Sequence, residues 1–432
     1  MLSKLGIVRE TKNKWERRAP ITPDDLKELI SEYSVEVAIQ PSKKRIFSDN
    51  AYKAAGAIVQ DDLSSCDIIL GIKEVKIKDL MADKLYLYFS HTIKGQSYNM
   101  SMLRRLIDLK CTLLDYERIV DEKGQRQIFY GYHAGVAGLI DTLWAFGRRL
   151  DKEGIYSPFS ILKQSLFYTD QSEATASLVK VGDQIRANGL PAAITPLVVG
   201  ITGYGNVSRG IQDMLNFLPV TKVDPDHLKE INMNSHTLYM SIFEEKDMVE
   251  SVSGSTTFDL EEYYNYPKRY RSKFGTYLNY ISILINASFW DTAYPRHVTK
   301  ENLKELFSGI KKPALRVIGD ISCDVNGGIE CTVKATDPGD PVFVYKPDTD
   351  MVLDGFSDEG LVIMAVDNLP SELPKDASIY FSSVLKTYIP ALVTTDFLVG
   401  FNSLDLPYAL KKAIIVYKGE LTDDYLYLKE YL

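Results

Sequence analysis

Two short apolar runs end in residues that can move protons. Asp67-Ile-Ile-Leu-Gly-Ile leads into Lys73-Glu74, and Tyr86-Leu-Tyr-Phe-Ser leads into His91-Thr-Ile-Lys94. Histidine exchanges protons near neutral pH, and a partly desolvated lysine is lowered toward that range, so the pair suits carbonyl and amine chemistry. If the two runs are parallel neighbouring strands, Lys73 and His91 emerge at one carboxyl edge, where α/β enzymes bind ligands. Taken alone, His91 is equally a hydrogen-bonded strand-end histidine, and Lys73 and Lys94 are equally solvated cations. A third run closes on Tyr116-Glu117, an acid placed to orient a base or to receive an ammonium group. Arg18, in Trp15-Glu-Arg-Arg-Ala-Pro20, has the planar guanidinium that clamps a carboxylate, and Arg17 is an equal candidate. Far along the chain, Val366-Asp367-Asn368-Leu-Pro370 ends a further apolar run in polar residues, as either a domain crossover or an ordinary turn.

A second kind of chemistry is written in Pro196-Leu-Val-Val-Gly-Ile-Thr-Gly203-Tyr-Gly205-Asn-Val-Ser208-Arg-Gly210. A buried strand, a glycine turn and an amphipathic helix follow in the order a dinucleotide requires. Gly203 allows the tight turn, Gly205 lets a pyrophosphate approach the N–H groups at the helix start, and Ser208 is the small third residue. Val220-Thr-Lys-Val223 reads as the next strand. It ends at Asp224, about twenty residues beyond the first glycine, where an acid can bind the ribose hydroxyls and favour NADH. Asp224 is equally the cap of a helix beginning Pro225-Asp226-His-Leu.

These groups need sheets to hold them. Strand-like runs at Lys4 to Arg9, Val35 to Gln40, Asp67 to Lys73, Lys84 to His91 and Thr112 to Glu117 alternate with helical patterns. Thr22 caps a helix that starts at Pro23 and ends near Tyr33. Tyr132 to Leu150, which contains Ala134-Gly-Val-Ala-Gly138, is a long helix with small residues for close packing; it either joins two domains or lies in one core. A second alternation runs through Leu197 to Thr202, Val220 to Val223, Ile281 to Asn286, Leu315 to Asp320 and Leu361 to Val366. The expected fold is α/β: two Rossmann-like domains with parallel sheets and an active-site cleft between them. Residues 1–130 plus 373–432 are expected to form the substrate and catalytic domain. Residues 131–372 are expected to bind the dinucleotide, with an irregular or partly helical insertion at about 232–280.

Composition narrows the chemistry further. A formal net charge of -8 and pI near 5.4 argue against a nucleic-acid partner. No apolar run reaches membrane-spanning length and the first residues lack a secretory pattern, so a cytoplasmic location is expected. Cys66, Cys111, Cys323 and Cys331 show no CxxC spacing and read as free thiols, with no metal site. No GxSxG elbow or HExxH motif supports acyl-enzyme or metal hydrolysis.

At these same segments the chain resembles the lysine-forming saccharopine dehydrogenases, especially the lysine–2-oxoglutarate reductase domain of the aminoadipic semialdehyde synthases, within the alanine dehydrogenase/transhydrogenase-like superfamily. The resemblance covers nearly the whole chain. Beyond the segments above it rests on Gln40-Pro-Ser42, Phe89-Ser-His-Thr-Ile-Lys-Gly-Gln96, Asp115-Tyr-Glu117 and Asp320-Ile-Ser-Cys-Asp324. It implies that the ε-amine of L-lysine condenses with 2-oxoglutarate and that nicotinamide hydride reduces the imine to saccharopine, or the reverse. By resemblance Lys73 and His91 are the acid–base pair and Glu117 tunes them. Arg18, Lys94 and Arg126 are carboxylate-binding or supporting cations, Asp367 holds an amino group, and Asp320 joins Gly203, Gly205 and Ser208 along the dinucleotide. The animal and plant reductases imply NADPH, in conflict with Asp224. The saccharopine-cleaving domain has no counterpart here, so a separate cleaving enzyme is expected. The rival expectations are an alanine-dehydrogenase-like reaction and a noncatalytic nucleotide sensor or transhydrogenase component.

Overall fold

In the computed structural model, which describes residues 3–254, 257–309 and 312–432, the strands fall where the apolar runs end. Two residues of the expected insertion, Ser255 and Thr256, lie outside the described residues, as do Met1 and Leu2 of the N-terminal stretch. The first strands are β1 (Leu5–Ile7), β2 (Val37–Ile39), β3 (Ile58–Val59), β4 (Ile68–Lys73), β5 (Leu85–Phe89) and β6 (Thr112–Asp115). Helices α1 (Pro23–Tyr33), α2 (Asp49–Ala54) and α3 (Ser97–Asp108) intervene. Helix α1 starts because Thr22 Oγ accepts from Asp25 N at 3.2 Å and Pro23 presets the first turn. It stops at Ser34, whose φ of 53° turns the chain left-handed.

The chain then runs through α4 (Gly131–Lys152), α5 (Gln171–Asn188), β7 (Leu197–Thr202), α6 (Asn206–Leu215), β8 (Val220–Lys222), β9 (Leu238–Phe243) and α7 (Glu245–Met248). Strands β10 (Val249–Ser251), β11 (Tyr270–Ser272), β12 (Ile283–Asn286), β13 (Val317–Asp320), β14 (Val342–Lys346), β15 (Met351–Asp354) and β16 (Leu361–Met364) follow. It ends with β17 (Ile414–Tyr417) and β18 (Glu420–Leu421). Two units result, one of Met1–Tyr130 with Pro374–Leu432 and one of Gly131–Leu373.

The sheet of the first unit has the order β18-β17-β6-β5-β4-β1-β2-β3, parallel from β6 to β3, with β17 and β18 added antiparallel. Strands β4 and β5 are buried nearly throughout, as parallel strands covered on both faces must be. Strand order reverses between β1 and β4, which opens a crevice at their carboxyl ends. The sheet of the second unit has the order β15-β14-β16-β13-β12-β7-β9-β8 and reverses between β7 and β12. Its β14 is antiparallel to both neighbours, and the remaining pairs from β16 to β8 are parallel.

One expectation fails here. Residues 232–280 are not an irregular or partly helical insertion throughout, because Leu238–Phe243 is a buried strand paired with β7 along its full length. Strand β8 is pushed to the sheet edge and touches β9 instead of β7. Among the described residues no helix is long and apolar enough to cross a membrane, and no cluster of three His, Cys, Asp or Glu could hold a metal ion.

Candidate active site

Strand register places Lys73 at the end of β4 opposite Phe89 at the end of β5, and His91 follows two residues later. The Ser90-His91-Thr92 loop is fixed from below. Asp115, buried at the end of β6, accepts from Ser90 N at 3.1 Å, from Ser90 Oγ and from Glu117 N at 2.7 Å. Asn99 Nδ2 donates to Ser90 O at 2.9 Å and to His91 O at 3.2 Å. His91 adopts a left-handed φ of 52°, which these bonds maintain. One buried carboxylate thus sets the backbone of both His91 and Glu117. Burial pushes the Asp115 carboxyl up to about 6.

Glu74 follows Lys73 in the chain and faces His91. Its Oε1 pairs with Lys12, and its buried Oε2 faces His91 Nδ1 at 3.8 Å with no hydrogen-bond partner among the described residues. Burial lowers the His91 pKa first, and the Lys73 charge lowers it further, while Glu74 and Glu117 pull it back up. An NMR titration of the five histidines should therefore find the His91 midpoint below the usual value of about 6.5. Lys73→Met should move that midpoint up and Glu74→Gln should move it down; opposite signs would break the electrostatic account of the cluster.

Behind Lys73 is a second buried group. Glu10 accepts from Ile72 N at 2.6 Å and Lys73 N at 3.1 Å, so it holds the end of β4 in place. Burial, with Glu16 nearby, pushes its carboxyl up to about 7. Glu16 takes Arg18 bidentately, at 2.8 Å to Nε and 2.6 Å to Nη2, and the guanidinium lies over the Tyr130 ring at 4.4 Å. Two of the five Arg18 donors are thus spent on Glu16, and the residue is only 2% exposed. A cavity of about 290 Å³ lined by Glu10, Lys73 and Glu74 opens at this switch point; His91 is not in its wall. Glu117 pairs with Arg126 at 3.4 Å, and Lys94 is exposed on the loop beyond His91.

In the second unit, Gly203 has a φ of 83°, and a Cβ there would come within 3.1 Å of Ala287 O beyond β12. Gly205 begins α6 without a side-chain cap and has nothing within 4 Å of its would-be Cβ. The first helical N–H groups therefore look into open space, as a pyrophosphate requires. Ser208 is fully buried, where the helix packs close. Gly205→Val should leave thermal stability nearly unchanged yet lower NADH affinity at least tenfold in a fluorescence titration, because its φ of -77° suits any residue. Gly203→Val should destabilise the fold as well. Equal behaviour of the two variants would contradict this cradle.

Two expected dinucleotide residues move. Asp224 ends the edge strand β8, one strand away from the glycine turn, and caps a short 3-10 turn without a side-chain bond. The neighbour of β7 is β9, so the acids beside the turn are Glu244 and Glu245. Asp320 is 1% exposed and accepts from Thr332 Oγ1 at 2.5 Å, Asn286 Nδ2 at 2.9 Å and Cys323 N at 3.2 Å. It lies beneath the crevice and orders the ends of β12 and β13 instead of lining it. The same network runs on through Thr202 and Ser288 to His297, which burial drives down to about 4. Asp367 is exposed just past β16. Glu10 and Asn99 escaped sequence reasoning, and Glu74 and Asp115 were noted there at strand ends without a role.

Two mostly parallel eight-stranded sheets, one ending at Lys73 and His91 and the other at the glycine turn before α6, make up a fold like that of alanine dehydrogenase. The chain belongs to the alanine dehydrogenase/PNT family: the model of its N-terminal domain matches residues 6–137, and that of its C-terminal domain matches residues 292–424. It is 37% identical over 98% of its length to alpha-aminoadipic semialdehyde synthase of Arabidopsis thaliana, and 34% identical over 99% to the mitochondrial enzyme of that name from Rattus norvegicus. It spans only 41% and 47% of those relatives. It is 28% identical to the saccharopine dehydrogenase [NAD(+), L-lysine-forming] of Neurospora crassa, covering 90% of each chain. In fold it is similar to an L-alanine dehydrogenase, with TM-score 0.62 and 16% identity over 99% of this chain and 98% of that one. A transhydrogenase from Sinorhizobium meliloti aligns with TM-score 0.55 and 14% identity, over 97% and 100% of the two chains.

Proposed function

We propose that this chain catalyses the NAD(P)H-dependent condensation of L-lysine with 2-oxoglutarate to saccharopine, or the reverse oxidation that releases lysine. The observation that carries the proposal is the grouping of Lys73, Glu74, His91 and Glu117 at the carboxyl ends of adjacent strands. An amine adding to a ketone yields a carbinolamine, which must gain a proton at its hydroxyl before water can leave. Lys73 and His91 are the groups that supply and recover that proton. Glu74, with an unused buried oxygen toward His91, stabilises the imidazolium formed in between. Gly203 and Gly205 would hold the coenzyme, whose nicotinamide would supply or accept the hydride.

Saccharopine carries three carboxylates, and the cations Arg18, Lys94 and Arg126 answer to them. Asp367 receives an ammonium group. The test is NADH and NADPH oxidation, followed by absorbance, with L-lysine plus 2-oxoglutarate and, in parallel, with pyruvate plus ammonia and with each substrate alone. Oxidation that requires both lysine and 2-oxoglutarate is the expected result. Oxidation only with pyruvate and ammonia would reassign the chain to alanine dehydrogenase chemistry.

A further inference from the structure

We propose that Tyr427 and Tyr431 are positioning residues that hold the Ile93–Gly95 turn from outside and so set where the Lys94 ammonium meets a substrate carboxylate. The proposal rests on the reading of Lys94 as a carboxylate-binding cation and deepens it. Lys94 is exposed on a turn closed by Gly95 N, which donates to Thr92 O at 2.9 Å, with Gly95 at a φ of 63°. The loop before it is gripped from within the sheet: Asp115 and Asn99 hold Ser90 and His91, and Ser90 Oγ meets Thr92 Oγ1 at 2.8 Å. A lysine side chain is long and flexible, so a mobile backbone beneath it would add to the freedom that binding must remove.

The second grip comes from the 3-10 segment Asp423–Tyr431, in the later piece of the same unit. Three residues per turn put Tyr425, Leu428 and Tyr431 on one face. Tyr425 and Leu428 are buried in the core of the unit and anchor the segment there. Tyr425 Oη donates to Lys412 O at 2.9 Å and accepts from Arg118 Nε at 2.9 Å, which ties the segment to the turn that carries Glu117. From this base Tyr427 Oη donates to Ile93 O at 2.6 Å. The Tyr431 ring lies against Gly95, so closely that a Cβ there would come within 2.6 Å of its Cγ and Cδ1. The residues on either side of Lys94 are thus held, and the ammonium is left exposed for a ligand. Tyr427 and Tyr431 are themselves 45% and 50% exposed, so trimming either opens little core.

The test is steady-state kinetics of the intact protein with 2-oxoglutarate varied at saturating lysine and coenzyme. Tyr427→Phe keeps the ring and loses only the bond to Ile93 O. It should raise the KM for 2-oxoglutarate about fivefold, the worth of one net hydrogen bond, with kcat within about twofold of the wild type. The His91 titration midpoint should stay where it is, because the grips of Asp115 and Asn99 remain; a melting curve checks the fold. Tyr431→Ala should act in the same way, and in a Lys94→Met background neither change should raise KM further. An effect on KM that persists in full in that background overturns the proposal, as does an unchanged KM where Lys94→Met alone raises it, or a fall in kcat with a shifted His91 midpoint. An unchanged KM in Lys94→Met itself would remove the reading of Lys94 and the proposal with it. If only pyruvate and ammonia are converted, the saccharopine reading falls, while the same set of variants on the KM for pyruvate still decides this one. Without turnover, hydrogen exchange decides: the Gly95 amide should exchange about fivefold faster in Tyr427→Phe, and an unchanged rate overturns the grip.

Discussion

Lys73→Met should lower turnover by about 10²- to 10⁴-fold, the range of a lost general acid or base, while leaving NADH affinity within a factor of two or so. The measurement uses whichever substrate pair the wild type converts. Methionine keeps the length of the stem and removes only the charge and the exchangeable protons. The end of β4 should survive the change, because Glu10 holds the backbone N–H groups of Ile72 and Lys73, not the ammonium. His91→Gln should fall in the same range. Asn99 grips the His91 carbonyl, so the loop keeps its course without the imidazole. If the two residues share one proton path, the double variant should be little slower than the worse single one. Full turnover in both single variants would place the chemistry at groups other than Lys73 and His91.

The second large effect is on stability. Gly135→Ala places a Cβ at 2.0 Å from Val207 O, and Gly210→Ala places one at 2.2 Å from Tyr132 O. Both contacts are with backbone, where helices α4 and α6 cross without side chains between them. No rotamer relieves such a clash, so the helices must separate, at a cost of about 3 kcal/mol or more. For a unit of this size that amounts to a fall in Tm of roughly 10 °C, or to loss of folded protein. Gly400→Ala is the control. Its φ is -70° and nothing lies within 4 Å, so its melting curve should match the wild type. A Gly135→Ala protein that melts normally would mean that the two helices do not touch in solution as described.

Much of this was legible in the sequence. Thr22-Pro23 announced α1, the apolar runs announced β4, β5 and β7, and Ala134-Gly-Val-Ala-Gly138 announced a helix that packs closely, because each signal is local. What stayed hidden depends on the order of strands in a sheet. Asp224 seemed the ribose acid on the assumption that the strand after α6 lies beside β7; the chain instead runs to the edge and comes back as Leu238–Phe243. That strand was missed because its apolar run is interrupted by Ser241 and lies inside a segment crowded with Tyr, Ser and Glu. The roles of Glu10 and Asp115 were hidden for a related reason. Their partners Ile72 and Ser90 lie far away in sequence and meet them only through strand pairing. Asp320 was recognised as important, but its burial under Thr332 and Asn286 could not be foreseen.

The first unit is written in two pieces, and this imposes a timetable on its birth. Gly131–Leu373 is uninterrupted and can close its core as soon as it leaves the ribosome. The earlier piece cannot: the free edge of β6 waits for β17, and the backbone N–H groups of Ala19 and Thr22 wait for the hydroxyls of Ser378 and Ser382. At ordinary elongation rates the interval is on the order of tens of seconds. Throughout it a nascent parallel sheet offers an unpaired border to any passing strand. The segment that carries Lys73 and His91 is therefore exposed to misassembly for longer than Gly131–Leu373 during synthesis, and becomes native after it.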